Sequence, residues 1–225
     1  IDVAHFLEAG SRAGDENYDI GLVEGSISTP ADAARIREIR SRCRFLVAIG
    51  ACATAGGIQA LRNWADADAF RAGVYASPEY VATLATSTAI ADHVPVDFEL
   101  RGCPVDPGQL VEVLTALVLG RRPSVPGHSV CVDCKARGIV CVAVTQGTPC
   151  LGPVTQAGCA AICPAHGREC FGCFGPSEAA NVVSLTGFYE RRGTSRPELV
   201  RLLRSFNAAA EPFRTGGDRL EAAGS

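Results

Sequence analysis

Phe45-Leu46-Val47-Ala48-Ile49-Gly50-Ala51-Cys52-Ala53 is the stretch from which the fold can be read. Five consecutive apolar residues halted by glycine suit a short strand buried on both faces, as in the middle of a parallel sheet. The segment continues through Thr54-Ala55-Gly56-Gly57 into a helical stretch from Ile58 to about Ala65. Upstream, Asp19-Ile20-Gly21-Leu22-Val23 is a second short apolar run, ending in Glu24-Gly25-Ser26. Thr29-Pro30 then places an N-cap before proline at N1, and Ile36 and Ile39 carry the helical period onward. Cys43 extends that stripe at the helix end and is expected to pack as a small core hydrophobe. Downstream, Val96–Leu100 is a third strand, placed near an edge by its alternating Asp97 and Glu99. After Arg101-Gly102-Cys103-Pro104, Asp106-Pro107 caps a helix with the apolar stripe Leu110, Val111, Leu114, Leu117 and Val118. Strand, helix, strand, helix with short connections predicts an α/β domain, a parallel sheet wrapped by helices, over residues 1–125.

In such a sheet the working loops lie beyond the carboxyl ends of the strands. Cys52 and Cys103 both fall there, each beside glycine, which lets backbone approach a bulky inorganic group closely. Glu24 occupies the equivalent place after the first strand. It is a candidate for proton handling, against the plainer reading of a turn before a capped helix.

The cysteines divide the rest of the chain. Eight of the eleven lie between Cys131 and Cys173, spaced Cys131-x2-Cys134-x6-Cys141-x8-Cys150-x8-Cys159-x3-Cys163-x6-Cys170-x2-Cys173. Residues 126–176 thus read as a second, small, cysteine-dense unit, and 177–225 as a C-terminal helix and tail. Leu199, Leu202, Leu203 and Phe206 form the helical stripe of that tail, and 215–225 read as frayed. Three chemistries could use the eight thiols. Disulfides suit a secreted scaffold, though an α/β domain does not need them. Zinc would accept two CxxC pairs, Cys131/Cys134 with Cys170/Cys173, leaving four cysteines for a second ion or for nothing. Iron–sulfur clusters take four thiolates each, so eight serve two [4Fe–4S] clusters with none over. The spacing does not decide which four would share a cluster. His128, three residues before Cys131, reads as a surface residue.

With 225 residues, 47% hydrophobic and 20% charged, the composition is that of a folded globular chain and excludes wholesale disorder. A net charge of -3 offers no basic field for nucleic acid, and no apolar run approaches the roughly 20 residues of a membrane span. The crowded arginines Arg35, Arg37, Arg40, Arg42 and Arg44 read as a solvated helix face. The chain contains no methionine and opens at Ile1, so a preceding segment is expected.

Gly50-Ala51-Cys52-Ala53 with Gly56-Gly57, and Arg101-Gly102-Cys103-Pro104 before an Asp-Pro-capped helix, resemble the small electron-transfer subunit of [NiFe] hydrogenases and the related 20 kDa subunit of respiratory complex I. The stretch from Cys150-Leu-Gly-Pro-Val-Thr to Cys173-Phe-Gly-Pro is similar to the delta subunit of cytoplasmic NADP-coupled sulfhydrogenases. The resemblance implies a flavodoxin-like doubly wound sheet followed by a ferredoxin-like two-cluster domain. It also implies a proximal cluster on Cys52 and Cys103, completed by a CxxC lying upstream of Ile1. The implied partners are a large subunit holding the nickel–iron site, a flavin-bearing NAD(P) subunit and a further iron–sulfur subunit, all cytoplasmic. No GxGxxG follows a strand, so no dinucleotide site is expected on this chain. Two other readings stay open: a zinc-stabilised scaffold without redox activity, and a small subunit of a quinone- or deazaflavin-linked complex.

Overall fold

The computed structural model describes residues 2–6, 10–11 and 17–223. An antiparallel pair, β1 (His5–Phe6) and β2 (Gly10–Ser11), precedes the sheet. The sheet itself is parallel, in the order β3 (Tyr18–Val23), β4 (Cys43–Ile49), β5 (Phe98–Leu100). β4 is the central strand, and its Leu46, Val47 and Ala48 are completely buried, which explains its uninterrupted apolar run.

Helices cover both faces of this sheet. On one, Ile36 of α1 (Pro30–Arg42) packs with Leu46, Ala48 and Ile90; on the other, Val113 of α4 (Pro107–Val118) packs with Val47 and Leu100. The start of α1 follows the sequence reading closely. Thr29 Oγ1 accepts from Asp32 N–H and Asp32 Oδ2 accepts from Thr29 N–H, closing a capping box ahead of Pro30. Between β4 and β5 run α2 (Gly50–Ala55), a 3₁₀ stretch at Ile58–Trp64 and α3 (Ala67–Val74).

Several expectations shift in three dimensions. Cys43 opens β4 instead of ending α1, yet it is buried in the core as expected, against Gly21, where a Cβ would sit 2.4 Å from its sulfur. β5 is shorter than Val96–Leu100; just ahead of it the exposed Asp97 donates its N–H to Leu46 O and accepts Leu46 N–H on its carboxylate at 2.7 Å. Arg40 does not belong to a solvated face; it reaches that carboxylate and the carbonyl of Cys43. Of the expected stripe of α4, Leu110 and Leu117 pack against the sheet core beside the buried Val113, whereas Val111 and Val118 are 63% and 58% exposed.

The cysteine-rich segment carries α5 (Val130–Ala136), α6 (Val142–Thr145) and α7 (Ile162–Ala165) joined by turns, with isolated bridges Ser129–Gln156 and Thr155–Pro176. In place of one helix and a frayed end, the C-terminal part folds as α8 (Val182–Glu190), α9 (Arg196–Leu203) and α10 (Glu211–Ala222). Leu199 and Leu203 meet Phe213 and Leu220 in a core that also takes Leu151 and Val154 from the cysteine-rich segment. Gly216 and Gly217, in the stretch expected to fray, are buried inside α10; a Cβ on Gly216 would lie 2.5 Å from Val182 Cγ1.

Candidate metal centre

The carboxyl ends of the three strands supply the first part of the site. Glu24 follows β3 with its side chain exposed. Cys52 lies in the first turn of α2 directly after β4, and Cys103 two residues beyond Arg101 after β5. The Ala51 N–H donates to Gly102 O at 2.9 Å, so the two loops are tied side by side. This brings Cys52 and Cys103 together: burial, and then the charge of Cys52, push the Cys103 thiol up. Gly57 has φ +61, and a Cβ there would stand 2.5 Å from Cys52 Sγ, so the thiol occupies space that only glycine leaves open.

All eleven cysteines of the chain are free. Burial, then the charges of Cys150, Cys134 and Cys141, push Cys131 up to about 11; burial, then Cys150, Cys141, Asp133 and Cys159, raise Cys134. Burial, then Cys159, Cys163 and Cys103, push Cys173 up to about 11, and burial and Cys159 raise Cys163. Cys170 is pushed up to about 12 by burial against hydrogen bonding, with Cys150 and Cys173 the thiols that act on it. Cys150 and Cys170 are buried together with Val130, Val142 and Ala161, and Cys134 packs against them. Among the described residues, no three His, Cys, Asp or Glu side chains converge tightly enough for a single metal ion. His128 is an exposed surface residue whose Nε2 lies 3.0 Å from Asp133 Oδ1.

Four features of this region are absent from the sequence reading. Phe174, 3% exposed, drives its ring between the loops of Cys103 and Cys159; Cβ atoms built on Gly102 and Gly158 would lie 3.2 and 2.7 Å from it. Ser205 Oγ donates to Phe171 O at 2.9 Å, and Asn207 Nδ2 donates to Gly172 O at 2.8 Å, so the loop after α9 clasps the Cys170–Cys173 turn. Arg101 Nη1 donates to Pro176 O at 3.0 Å, joining the β5 loop to the same turn. Tyr189 of α8 bonds to the backbone of Cys150. The one legible signal is Gly-Cys, repeated at 102–103, 158–159 and 172–173. The other contacts join residues far apart in the chain.

Residues 1–117 match the family described as NADH ubiquinone oxidoreductase, 20 Kd subunit. The chain belongs to this family. Within it, the chain is 37% identical over 207 residues to the sulfhydrogenase 2 subunit delta of Pyrococcus furiosus, covering 91% of this chain and 85% of that one. It is 31% identical to a vhu subunit of the F420-non-reducing hydrogenase of Methanocaldococcus jannaschii, over 85% of this chain and 78% of that one. The NAD-reducing hydrogenase HoxS subunit delta of Cupriavidus necator is 31% identical over 49% of this chain and 60% of its own. The family match ends before the cysteine-rich segment, whereas the sulfhydrogenase delta alignment takes in most of the chain.

Proposed function

We propose that this chain is the electron-transfer small subunit of a [NiFe] hydrogenase, relaying electrons between the nickel–iron site of a large subunit and a flavin-bearing, NAD(P)-linked partner. The observation that carries this reading is the set of free thiols: Cys52 and Cys103 on loops tied side by side at the carboxyl ends of β4 and β5, and eight more in the cysteine-rich segment. Relatives named as hydrogenase subunits support it. Two [4Fe–4S] clusters fit the donor set, one on Cys131, Cys134, Cys141 and Cys150 and one on Cys159, Cys163, Cys170 and Cys173. This is the ferredoxin-like two-cluster domain that the resemblance in sequence implies. Cys52 and Cys103 supply two thiolates of a third, proximal cluster. Glu24, at the same edge, is the candidate proton-handling residue.

A bound [4Fe–4S] cluster supplies a one-electron couple at each position. The chain's own residues do the rest. The cysteines hold the metal as thiolates. Their raised values mean that protons must leave as metal enters, which makes loading pH-dependent. Gly152 N–H and Cys170 N–H donate to Cys150 Sγ at 3.4 and 3.2 Å, and such bonds stabilise negative charge at sulfur. Phe174 and the aliphatic residues Val130, Val142 and Leu151 exclude water. Among the described residues no helix is long and apolar enough to cross a membrane. Cytoplasmic residence is part of the proposal, because a reducing compartment keeps such thiols available to metal.

The test is anaerobic purification with metal analysis. About eight iron and eight sulfide per chain are expected from the two quartets, about twelve with the third cluster, together with a brown colour and reduced-state resonance signals. Stoichiometric zinc without sulfide would replace this reading with the scaffold. A co-purifying quinone- or deazaflavin-linked subunit would keep the relay and change its acceptor.

A further inference from the structure

The two thiol quartets are joined by a direct hydrogen bond. Cys170 donates its peptide N–H to Cys150 Sγ at 3.2 Å, and Leu151 N–H returns a bond to Cys170 O at 3.0 Å. Cys150 itself is held from outside the cysteine-rich segment. Its N–H donates to Tyr189 Oη at 2.8 Å, and Tyr189 O–H donates to its carbonyl at 3.0 Å. One hydroxyl therefore satisfies both backbone polar groups of a single buried residue. Tyr189 is only 2% exposed, at the end of α8, and its own carbonyl accepts from Arg192 and Thr194 N–H. Phe188 meets its ring edge-on at 5.2 Å. A buried tyrosine hydroxyl must find partners, and this one finds them all on Cys150.

We propose that Tyr189 is a positioning residue: by gripping the Cys150 backbone it keeps the Cys150 sulfur in register to accept the Cys170 N–H, the bond that couples the two quartets. This rests on the cluster reading above. A continuous chain of bonds then runs from Cys170 Sγ through its Cβ, Cα and N–H to Cys150 Sγ. An N–H aimed at a ligand sulfur favours the more negative, reduced state. Tyr189 thereby sets both the potential of the Cys150 quartet and its coupling to the neighbouring one. Without the hydroxyl, the Cys150 N–H and carbonyl lose their partners and the turn is free to rotate its sulfur away.

Tyr189→Phe keeps the ring and removes one oxygen. In the anaerobic full chain, iron and sulfide, a potentiometric titration and the magnetic interaction between the two reduced centres are compared with wild type. Retained iron is expected, with one of the two centres harder to reduce. At its wild-type midpoint, the reduced-to-oxidised ratio falls about tenfold, a shift of about 59 mV for a one-electron couple. A weaker interaction between the centres accompanies it. Selective loss of about four iron also supports the proposal, since only the quartet that Tyr189 braces would fail. Unchanged midpoints and interaction overturn it. Should the variant lose all iron, the wild-type protein decides: proton ENDOR either resolves slowly exchanging N–H protons coupled to a reduced centre, or finds none and overturns the bond. Wild type lacking iron and sulfide would instead refute the cluster reading on which this rests.

Discussion

Removing the Asp97 carboxylate should destabilise the chain far more than neutralising it. Asp97 accepts from Arg40 Nη1 at 2.5 Å and from the Leu46 N–H at 2.7 Å. Its charge sits below the usual carboxylate range, because the Arg40 and Leu46 hydrogen bonds and the Arg40 charge outweigh burial, which pushes the other way. Leu46 is fully buried, so Asp97→Ala strands a backbone donor without water, at about 1–3 kcal/mol. The pair with Arg40 is partly exposed and screened, adding about 0.5 kcal/mol. The sum is about 2 kcal/mol, up to about 30-fold in the unfolding equilibrium. Asp97→Asn keeps an oxygen for Leu46 N–H and should cost about 0.5 kcal/mol. Urea unfolding followed by Trp64, the one tryptophan, gives both values. Hydrogen exchange across 43–49 should quicken in the Ala variant alone. For pH the sign is that of a depressed carboxylate. Its contribution is complete above the unfolded value near 3.9 and is lost as pH falls through the lower folded value. The wild-type-minus-Asn gap should therefore stay flat from pH 8 to 5. Equal losses in the two variants would refute the role given to the Leu46 N–H.

Gly158→Ala should cost about 3 kcal/mol, since φ is +145 and the new methyl would lie 2.2 Å from Gln109 Nε2 and 2.7 Å from the Phe174 ring. A urea midpoint matching wild type would show that the wedge yields freely. On the proposed cluster assignment, Cys141→Ala should lose about half the iron and Cys43→Ala none, because Cys43 packs in the sheet core; metal analysis distinguishes them. Trp64→Phe removes the 3.0 Å bond from Nε1 to Asp218, beneath Arg204 stacked 4.6 Å from the ring centroid. It should cost about 1 kcal/mol, read as a lower thermal midpoint, and an unchanged midpoint would mean that α10 does not depend on this clamp.

Much of the molecule is local and so was legible in the chain itself. β4 declared itself by an unbroken apolar run, α1 and α4 by their Thr-Pro and Asp-Pro caps, and Cys52 and Cys103 by following strands beside glycine. The α10 helix escaped because Phe213 and Leu220 are its only large buried anchors and two glycines interrupt it. Its place is fixed by Val182 and Leu203 packing against Gly216 and by Arg204 against Gly217, contacts that no window of sequence contains.

The number and spacing of the thiols follow from covalent order alone, and they narrow the chemistry to disulfides, zinc or iron–sulfur. The Phe174 wedge, the bond of Asp97 to Leu46 N–H and the Tyr189 grip on Cys150 required the fold. Each joins groups tens of residues apart, and the free energy that selects such contacts arises only when buried polar atoms and close-packed rings must find partners together.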